Sequence, residues 1–383
     1  GMTTSEARVQ AVLAEHPVID GHNDLPIAFY ELCGYDLDAY DLAGSVPELN
    51  TDLPRLRAGH VGAQFWSLWV PQDEHAVRRT FEQLDFVRRL VERFPDDLQL
   101  ADTADDVEAA IKAGRVASLM GMEGGHSIGE SLGVLRVMRA LGVRYMTLTH
   151  NNNVSWADSA TDEPVLGGLN EFGEEVVKEM NRIGMLVDLS HVSADTMRHA
   201  LRVTSAPVIF SHSSSRAVCD VPRNAPDDVL ETLAGNDGVC MVTFVPYFVS
   251  QQYVDWVAGA RAAAEEHGLT DDDQPGNPIP SPLRPENQAK LAEIYGKPKP
   301  ETTLADVVEH VEHVREVAGI DHIGVGGDYD GCPEFPVELP DVASYPVLFE
   351  ALADRGWSDT DLGKLAGGNI LRVLRAADEV ASV

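Results

Sequence analysis

Six apolar runs of β type along this chain each close on a side chain able to bind a metal ion, and that repetition limits the fold more than any other feature. Val18-Ile19-Asp20-Gly21 ends in His22 and Asp24, and Ala117-Ser118-Leu119-Met120-Gly121-Met122 ends in Glu123. Tyr145-Met146-Thr147-Leu148-Thr149 ends in His150, and Met185-Leu186-Val187-Asp188-Leu189-Ser190 ends in His191. Pro207-Val208-Ile209-Phe210-Ser211 ends in His212, and Ile323-Gly324-Val325-Gly326-Gly327 ends in Asp328. Donor side chains at the carboxyl ends of successive parallel strands are what a (β/α)8 barrel enzyme presents when read from sequence. A single such run would pass for an isolated polar cap. Six at barrel spacing do not.

Eight strand candidates fall at residues 18–20, 62–69, 117–123, 145–150, 184–191, 207–212, 238–245 and 322–328. Helical patterns lie between them. The stretch 76–94 carries Val77, Phe81, Leu84, Val87, Leu90 and Val91 near a 3.6-residue period. Stretches 172–183 and 194–203 follow later strands, and 303–318 precedes the last. Near-continuous apolar strands alternating with helices predict a parallel sheet covered on both faces, hence an α/β fold of (β/α)8 TIM-barrel type. With 383 residues, 44% of them hydrophobic, the chain can bury a large core, and barrels of this length form a single domain, here 1–383.

Two stretches depart from the repeat. Residues 35–56 read as a long loop after the first strand. Residues 274–300 carry Pro275, Pro278, Pro280, Pro282, Pro285, Pro298 and Pro300. Together with a helical pattern at 252–267 they read as a Pro-rich insertion around 252–300, between the seventh and eighth strands. A βα insertion lies on the active-site side, where it either roofs the pocket or runs as a surface excursion. Residues 359–373, with Gly367-Gly368-Asn369, read as closing helices.

A net charge of −33 argues against nucleic acid and anionic membrane as partners, since both need basic patches. Cys33, Cys219, Cys240 and Cys332 are far apart with no CxxC spacing, and are expected to be small buried or strand-end hydrophobes in a reducing compartment. Gly1 ahead of Met2 reads as a residue left by tag removal. No secretory leader, membrane span or lipid-anchor tail is evident, so the expected location is cytoplasmic.

His22 and Asp24, two apart on or just past a strand, share a face and offer a nitrogen and a carboxylate to one divalent ion. His191 and His212 close adjacent strands in similar contexts, Leu-Ser-His and Phe-Ser-His, and can supply two imidazoles to a second ion. Glu123 lies between and can place one oxygen on each. This mixture favours two Zn2+ per chain, with Mn2+, Co2+ or Fe2+ as substitutes, and the absence of thiolates favours an open catalytic site. His126 reads as second-layer or loop packing. His310 and His313, among Glu309, Glu312 and Glu316, read as an exposed charged face.

The motifs Ile19-Asp20-Gly21-His22-Asn23-Asp24-Leu25-Pro26 and Glu123-Gly124-Gly125-His126-Ser127 resemble the renal (membrane) dipeptidase family. So do Thr147-Leu148-Thr149-His150-Asn151, Asp188-Leu189-Ser190-His191-Val192-Ser193 and Phe210-Ser211-His212-Ser213-Ser214. Pro222-Arg223-Asn224 and Gly326-Gly327-Asp328-Tyr329-Asp330-Gly331 complete the match, which runs from about Val18 to the closing helices. The resemblance implies a binuclear zinc dipeptidase of the amidohydrolase-type barrels, with His22 and Asp24 on one zinc, His191 and His212 on the other, and Glu123 bridging. A metal-bridged hydroxide would attack the amide. The resemblance assigns His150 to the oxyanion, Asp328 to proton transfer and Arg223 to the substrate carboxylate. On spacing alone Asp330 rivals Asp328, although a loop-capping role is its default. The expected partner is a small dipeptide, with a C-terminal D-residue as one option, and the family implies a homodimer as a further option. Another amidohydrolase-type reaction, on lactones, cyclic amides or N-acyl amino acids, stays open as the alternative.

Overall fold

The computed structural model describes residues 1–268 and 284–382. Its nine strands are β1 (Val18–Asn23), β2 (Val61–Leu68), β3 (Leu98–Leu100), β4 (Val116–Glu123), β5 (Val143–Thr147), β6 (Leu186–Asp188), β7 (Ile209–Phe210), β8 (Val239–Val242) and β9 (Ile323–Val325). All pair in parallel. A run of neighbours from β2 through β1, β9, β8, β7, β6 and β5 reaches β4, and pairing of β2 with β4 closes eight strands into a barrel. The expected (β/α)8 architecture is present.

The ninth strand, β3, was not expected. It pairs Leu98–Leu100 with Val116–Ser118, along the part of β4 that precedes its pairing with β5 at Met120. Three residues are too few for a periodic pattern to register. Its place is decided by the vacant edge of β4.

All eight residues of β2 and all eight of β4 are buried, as a barrel packed inside and covered by helices outside requires. Ile19, Phe65, Leu119, Tyr145, Ile209 and Met241, from six strands, pack with Ile370, Val373 and Leu374 of the helix Asn369–Val380. That helix therefore closes the barrel at the amino-terminal ends of the strands, leaving the carboxyl ends for the site. Around the strands, the helices Ala76–Arg93, Glu171–Ile183, Ala194–Val203 and Leu304–Ala318 fall where the 3.6-residue period predicts. The closing helices extend to Val380, past the expected 373, through a π turn at Lys364–Gly368.

The expected loop at 35–56 ends early, because the helix Leu53–Ala58 starts on an Asp52 cap. Between β8 and β9, the expected seventh and eighth strands, lie the helices Pro246–Val249, Gln251–Glu266 and Gln288–Tyr295. Tyr253, Trp256, Val257, Ala260, Ala264 and Leu291 give this excursion a small core of its own. Pro275, Pro278, Pro280 and Pro282 lie outside the described residues.

Two expectations need correction. His310 is not on an exposed face: it is fully buried, with Nδ1 accepting from the Ser215 N–H and Nε2 donating to Val249 O, both at 3.0 Å. The charged neighbours that suggest exposure occupy the other side of its helix, and His313 faces Asp227 at 2.8 Å. Cys219 and Cys240 are buried as expected, but Cys33 and Cys332 are only half-buried, Cys33 at a helix end and Cys332 in a loop. Among the described residues no helix is long and apolar enough to cross a membrane.

Candidate metal centre and active site

The strands end earlier than the apolar runs, so His150, His191, His212 and Asp328 stand on the first turns beyond β5, β6, β7 and β9. Two buried carboxylates fix those turns. Asp20 in β1 accepts from the backbone N–H of His22 (2.9 Å) and of Gly327 (2.8 Å), from Gln64 Nε2 (2.7 Å) and from the Tyr345 hydroxyl. Asp188 in β6 accepts from Thr147 Oγ1 (2.6 Å), the Ser190 N–H (3.2 Å), and both the N–H (2.8 Å) and hydroxyl (2.5 Å) of Ser211. Each joins the ends of neighbouring strands just below a donor side chain. His191 and Asp328 have left-handed backbones, φ +71° each, a strained state for non-glycine residues. The His191 carbonyl is held there by the Ala160 N–H at 2.8 Å and by two hydroxyls, Thr149 and Ser159.

The donor atoms converge. His191 Nε2 and His212 Nε2 lie 3.2 Å apart and 3.0 and 3.1 Å from Glu123 Oε2. His22 Nε2 lies 3.0 Å from Asp24 Oδ2, 3.3 Å from the same Glu123 oxygen and 3.5 Å from Asp328 Oδ1. The rings of His22 and His212 stack at 3.7 Å. The other Glu123 oxygen turns toward Ser67 Oγ (3.3 Å) and His150 Nε2 (3.9 Å). His22, Asp24, Glu123, His191 and His212 are all nearly buried.

Burial lowers the His191 and His212 imidazoles well below the usual range, with Arg223 and neighbouring imidazoles adding to it. His150 is lowered likewise, by burial first. At His22 burial also pushes down, but Glu123 and Asp24 override it and raise the group. Asp328 is raised well above the carboxylate range by burial and by Asp24 beside it.

A cavity of about 470 Å³ opens over this cluster, the size of a small-ligand pocket. Trp69 and His150 form one wall, their rings 5.1 Å apart. In another, Arg223 is 1% exposed, its guanidinium 4.7 Å from the Phe248 ring centre. Arg223 Nη2 donates to His212 O (3.1 Å) and Nη1 to Ser213 Oγ (3.5 Å), while Nε has no partner among the described residues. Burial lowers the guanidinium to about 10. Among the described residues no carboxylate stands within ion-pair distance of it. Asp330 caps a loop, its Oδ1 accepting from the Asn50 N–H and its own N–H donating to Asn50 Oδ1, both at 2.8 Å. His126 donates from Nε2 to Val70 O at 2.8 Å and packs under Gly124.

The profile of the membrane dipeptidase family, peptidase family M19, matches residues 6–383. This chain belongs to that family. Dipeptidase verJ of Clonostachys rogersoniana is 39% identical over 384 aligned residues, covering 97% of this chain and 86% of its own. The probable dipeptidase PvdM from Pseudomonas aeruginosa superposes with a TM-score of 0.85 at 23% identity, over 98% of this chain and 99% of that one. A metallopeptidase from Rhodobacter sphaeroides, liganded with a phosphinate mimic of the dipeptide L-Ala-D-Ala, superposes with a TM-score of 0.75 at 22% identity, over 94% and 99%. At those identities the two structures carry the fold.

For an M19 dipeptidase a metal cofactor is implied, and the donor set fits one. Ligands of a tetrahedral ion bound at about 2.0 Å stand about 3.3 Å from one another, close to the edges measured among His191, His212 and Glu123. Sequence alone does not single out Trp69, Ser67, Tyr145 or Phe248 in this dipeptidase. Trp69 closes an apolar run as the histidines do, which is a signal. The other three reach the site only through packing.

Proposed function

We propose that this chain is a binuclear zinc dipeptidase whose preferred substrates are dipeptides, including those with a C-terminal D-residue. The observation that carries the substrate reading is Arg223: a guanidinium buried in a cavity wall with no carboxylate at ion-pair distance among the described residues calls for an anionic ligand, and a free carboxylate beside a peptide bond supplies it. The L-Ala-D-Ala mimic bound to the Rhodobacter sphaeroides neighbour supports including such dipeptides among the substrates.

His22 and Asp24 would hold one ion, His191 and His212 the other, and Glu123 would face both. Ions bound there would supply an acidified water and Lewis-acid polarisation of the scissile carbonyl. Arg223 pairs with the substrate carboxylate and fixes the register of the peptide bond over the cluster. His150 donates to the carbonyl oxygen as it gains charge. Asp328 takes the proton of the attacking water and returns it to the departing nitrogen. The excursion between β8 and β9 brings Arg284, Pro285 and Glu286 to the cavity mouth, which supports a roof that excludes longer peptides. We read the whole chain as one catalytic domain, and its four free thiols support a cytoplasmic location.

The test is hydrolysis of L-L and L-D dipeptides and of tripeptides by zinc-reconstituted protein, with a chelator-treated control. Chelator-sensitive cleavage of dipeptides alone is expected. Loaded protein that leaves every dipeptide intact would sink the reading and point to lactones or N-acyl amino acids.

A further inference from the structure

Beneath the donor cluster, two of the three imidazoles have their far nitrogen tied to a hydroxyl, and each hydroxyl is itself committed elsewhere. His212 Nδ1 lies 2.8 Å from Ser211 Oγ, which lies 2.5 Å from Asp188 Oδ2. Asp188 is surrounded by donors only, including the N–H groups of Ser190 and Ser211, so the Ser211 proton points to the carboxylate. Ser211 Oγ is left to accept, and His212 must carry its proton on Nδ1. His22 repeats the arrangement with different parts. Its Nδ1 lies 3.2 Å from Tyr145 Oη, and that hydroxyl donates to Gly21 O at 2.9 Å. A carbonyl only accepts, so the Tyr145 oxygen accepts from His22 Nδ1–H. With Nδ1 holding its proton in both rings, Nε2 is the nitrogen left to face an ion beside Glu123.

We propose that Ser211 and Tyr145 are positioning residues that fix the Nδ1–H tautomer and ring orientation of His212 and His22, so that each presents Nε2 to its metal ion. The proposal rests on the reading that these imidazoles hold the ions. The surrounding packing holds both hydroxyls in place. A Cβ on Gly21 would stand 2.3 Å from Ser211 O, and one on Gly326 would stand 1.9 Å from it, so Ser211 is wedged between two backbones that lack side chains. A Cβ on Gly121 would stand 2.1 Å from the Tyr145 ring, so this glycine makes room for the tyrosine inside the barrel. The third imidazole lacks such a tie: His191 Nδ1 is buried without a partner among the described residues. Its orientation comes instead from the strained backbone at φ +71°. Hydrogen bonds to the outer nitrogen of a ligating histidine commonly change metal affinity about 10- to 100-fold.

The experiment uses the full chain with Ser211→Ala, Ser211→Thr and Tyr145→Phe, reading Zn2+ affinity by competition with a chromophoric chelator and the visible spectrum of the Co2+-loaded protein. Circular dichroism of each apo form checks folding. Wild type should bind two ions. Ser211→Ala should bind one of them about 10- to 100-fold more weakly with an altered Co2+ spectrum, Tyr145→Phe should weaken the other, and Ser211→Thr should restore the wild-type spectrum. A folded Ser211→Ala with wild-type affinity and spectrum would overturn the proposal. A wild type that binds no metal would overturn the underlying site reading instead. Should Ser211→Ala fail to fold, nitrogen-15 NMR of the zinc-loaded wild type decides: protons on Nδ1 of His212 and His22 support the proposal, and protons on Nε2 overturn it.

Discussion

Arg223, Gly331 and His310 show how differently single residues bear on this protein. Replacing Arg223 by Met keeps the stem that packs on Phe248 but removes the charge, so KM for dipeptides should rise about 10- to 100-fold with a smaller change in kcat, as steady-state kinetics would show. Gly331 matters for what it lacks. A Cβ there would stand 2.2 Å from Asp328 Oδ1 and 2.3 Å from Asp24 Oδ2. Gly331→Ala should therefore lose most activity and bound zinc, while its metal-free form melts within a few degrees of metal-free wild type; unchanged zinc content by elemental analysis would contradict this. His310 is a titration point outside the metal cluster. Burial lowers its pKa from 6.5 to about 4, so between those values the unfolded chain binds a proton that the folded chain refuses. Its stabilising contribution is complete above about pH 6.5 and is lost as pH falls toward 4, roughly 3 kcal/mol in all. Urea unfolding at pH 7 and pH 5 should show His310→Gln losing less stability between them than wild type.

At the scale of elements, helices were more legible in the sequence than strands. Leu304–Ala318 and Ala194–Val203 follow from apolar residues repeating along one chain segment, a local property. Strand ends are set by partners. β7 keeps only Ile209–Phe210 of the expected 207–212, and it stops there because beyond Phe210 the chain turns to bond with Asp188 and Ser190. The site benefits from that shortening, since the turns, more than the strands, aim the imidazoles. The excursion between β8 and β9 is latched by Glu334, which takes Lys299 Nζ at 2.6 Å on one oxygen and Tyr253 Oη (3.2 Å) and Gln288 Nε2 (3.1 Å) on the other. Glu334→Ala should speed proteolytic cutting around 251–300 and raise KM, with little change in the melting temperature of the barrel. Equal cutting rates in the two proteins would rule out a latch.

For the whole molecule, closure of eight strands brings Asp24, Glu123 and Asp328 together in a buried cluster, where their mutual repulsion opposes folding unless a cation offsets it. Zinc binding should thus couple to stability. An ion at 1,000 times its Kd adds about 4 kcal/mol, so the melting temperature should rise on zinc titration and fall on chelation, and calorimetry showing no difference would refute the coupling. The sequence by itself determined the order of elements, the barrel class, and which residues stand at the rim, because alternation and donor placement are written into neighbouring positions. Asp24, Glu123, His191 and His212, with His150, Arg223 and Asp328, line one cavity, and His22 lies against Asp24 and Glu123 beside it. Only the tertiary structure decided the extra strand β3, the burial of His310, the burial of Arg223 in the cavity wall and the hydroxyls behind His22 and His212. Each depends on contacts such as that between Tyr145 and Gly21, residues far apart in the chain that meet only when the barrel closes.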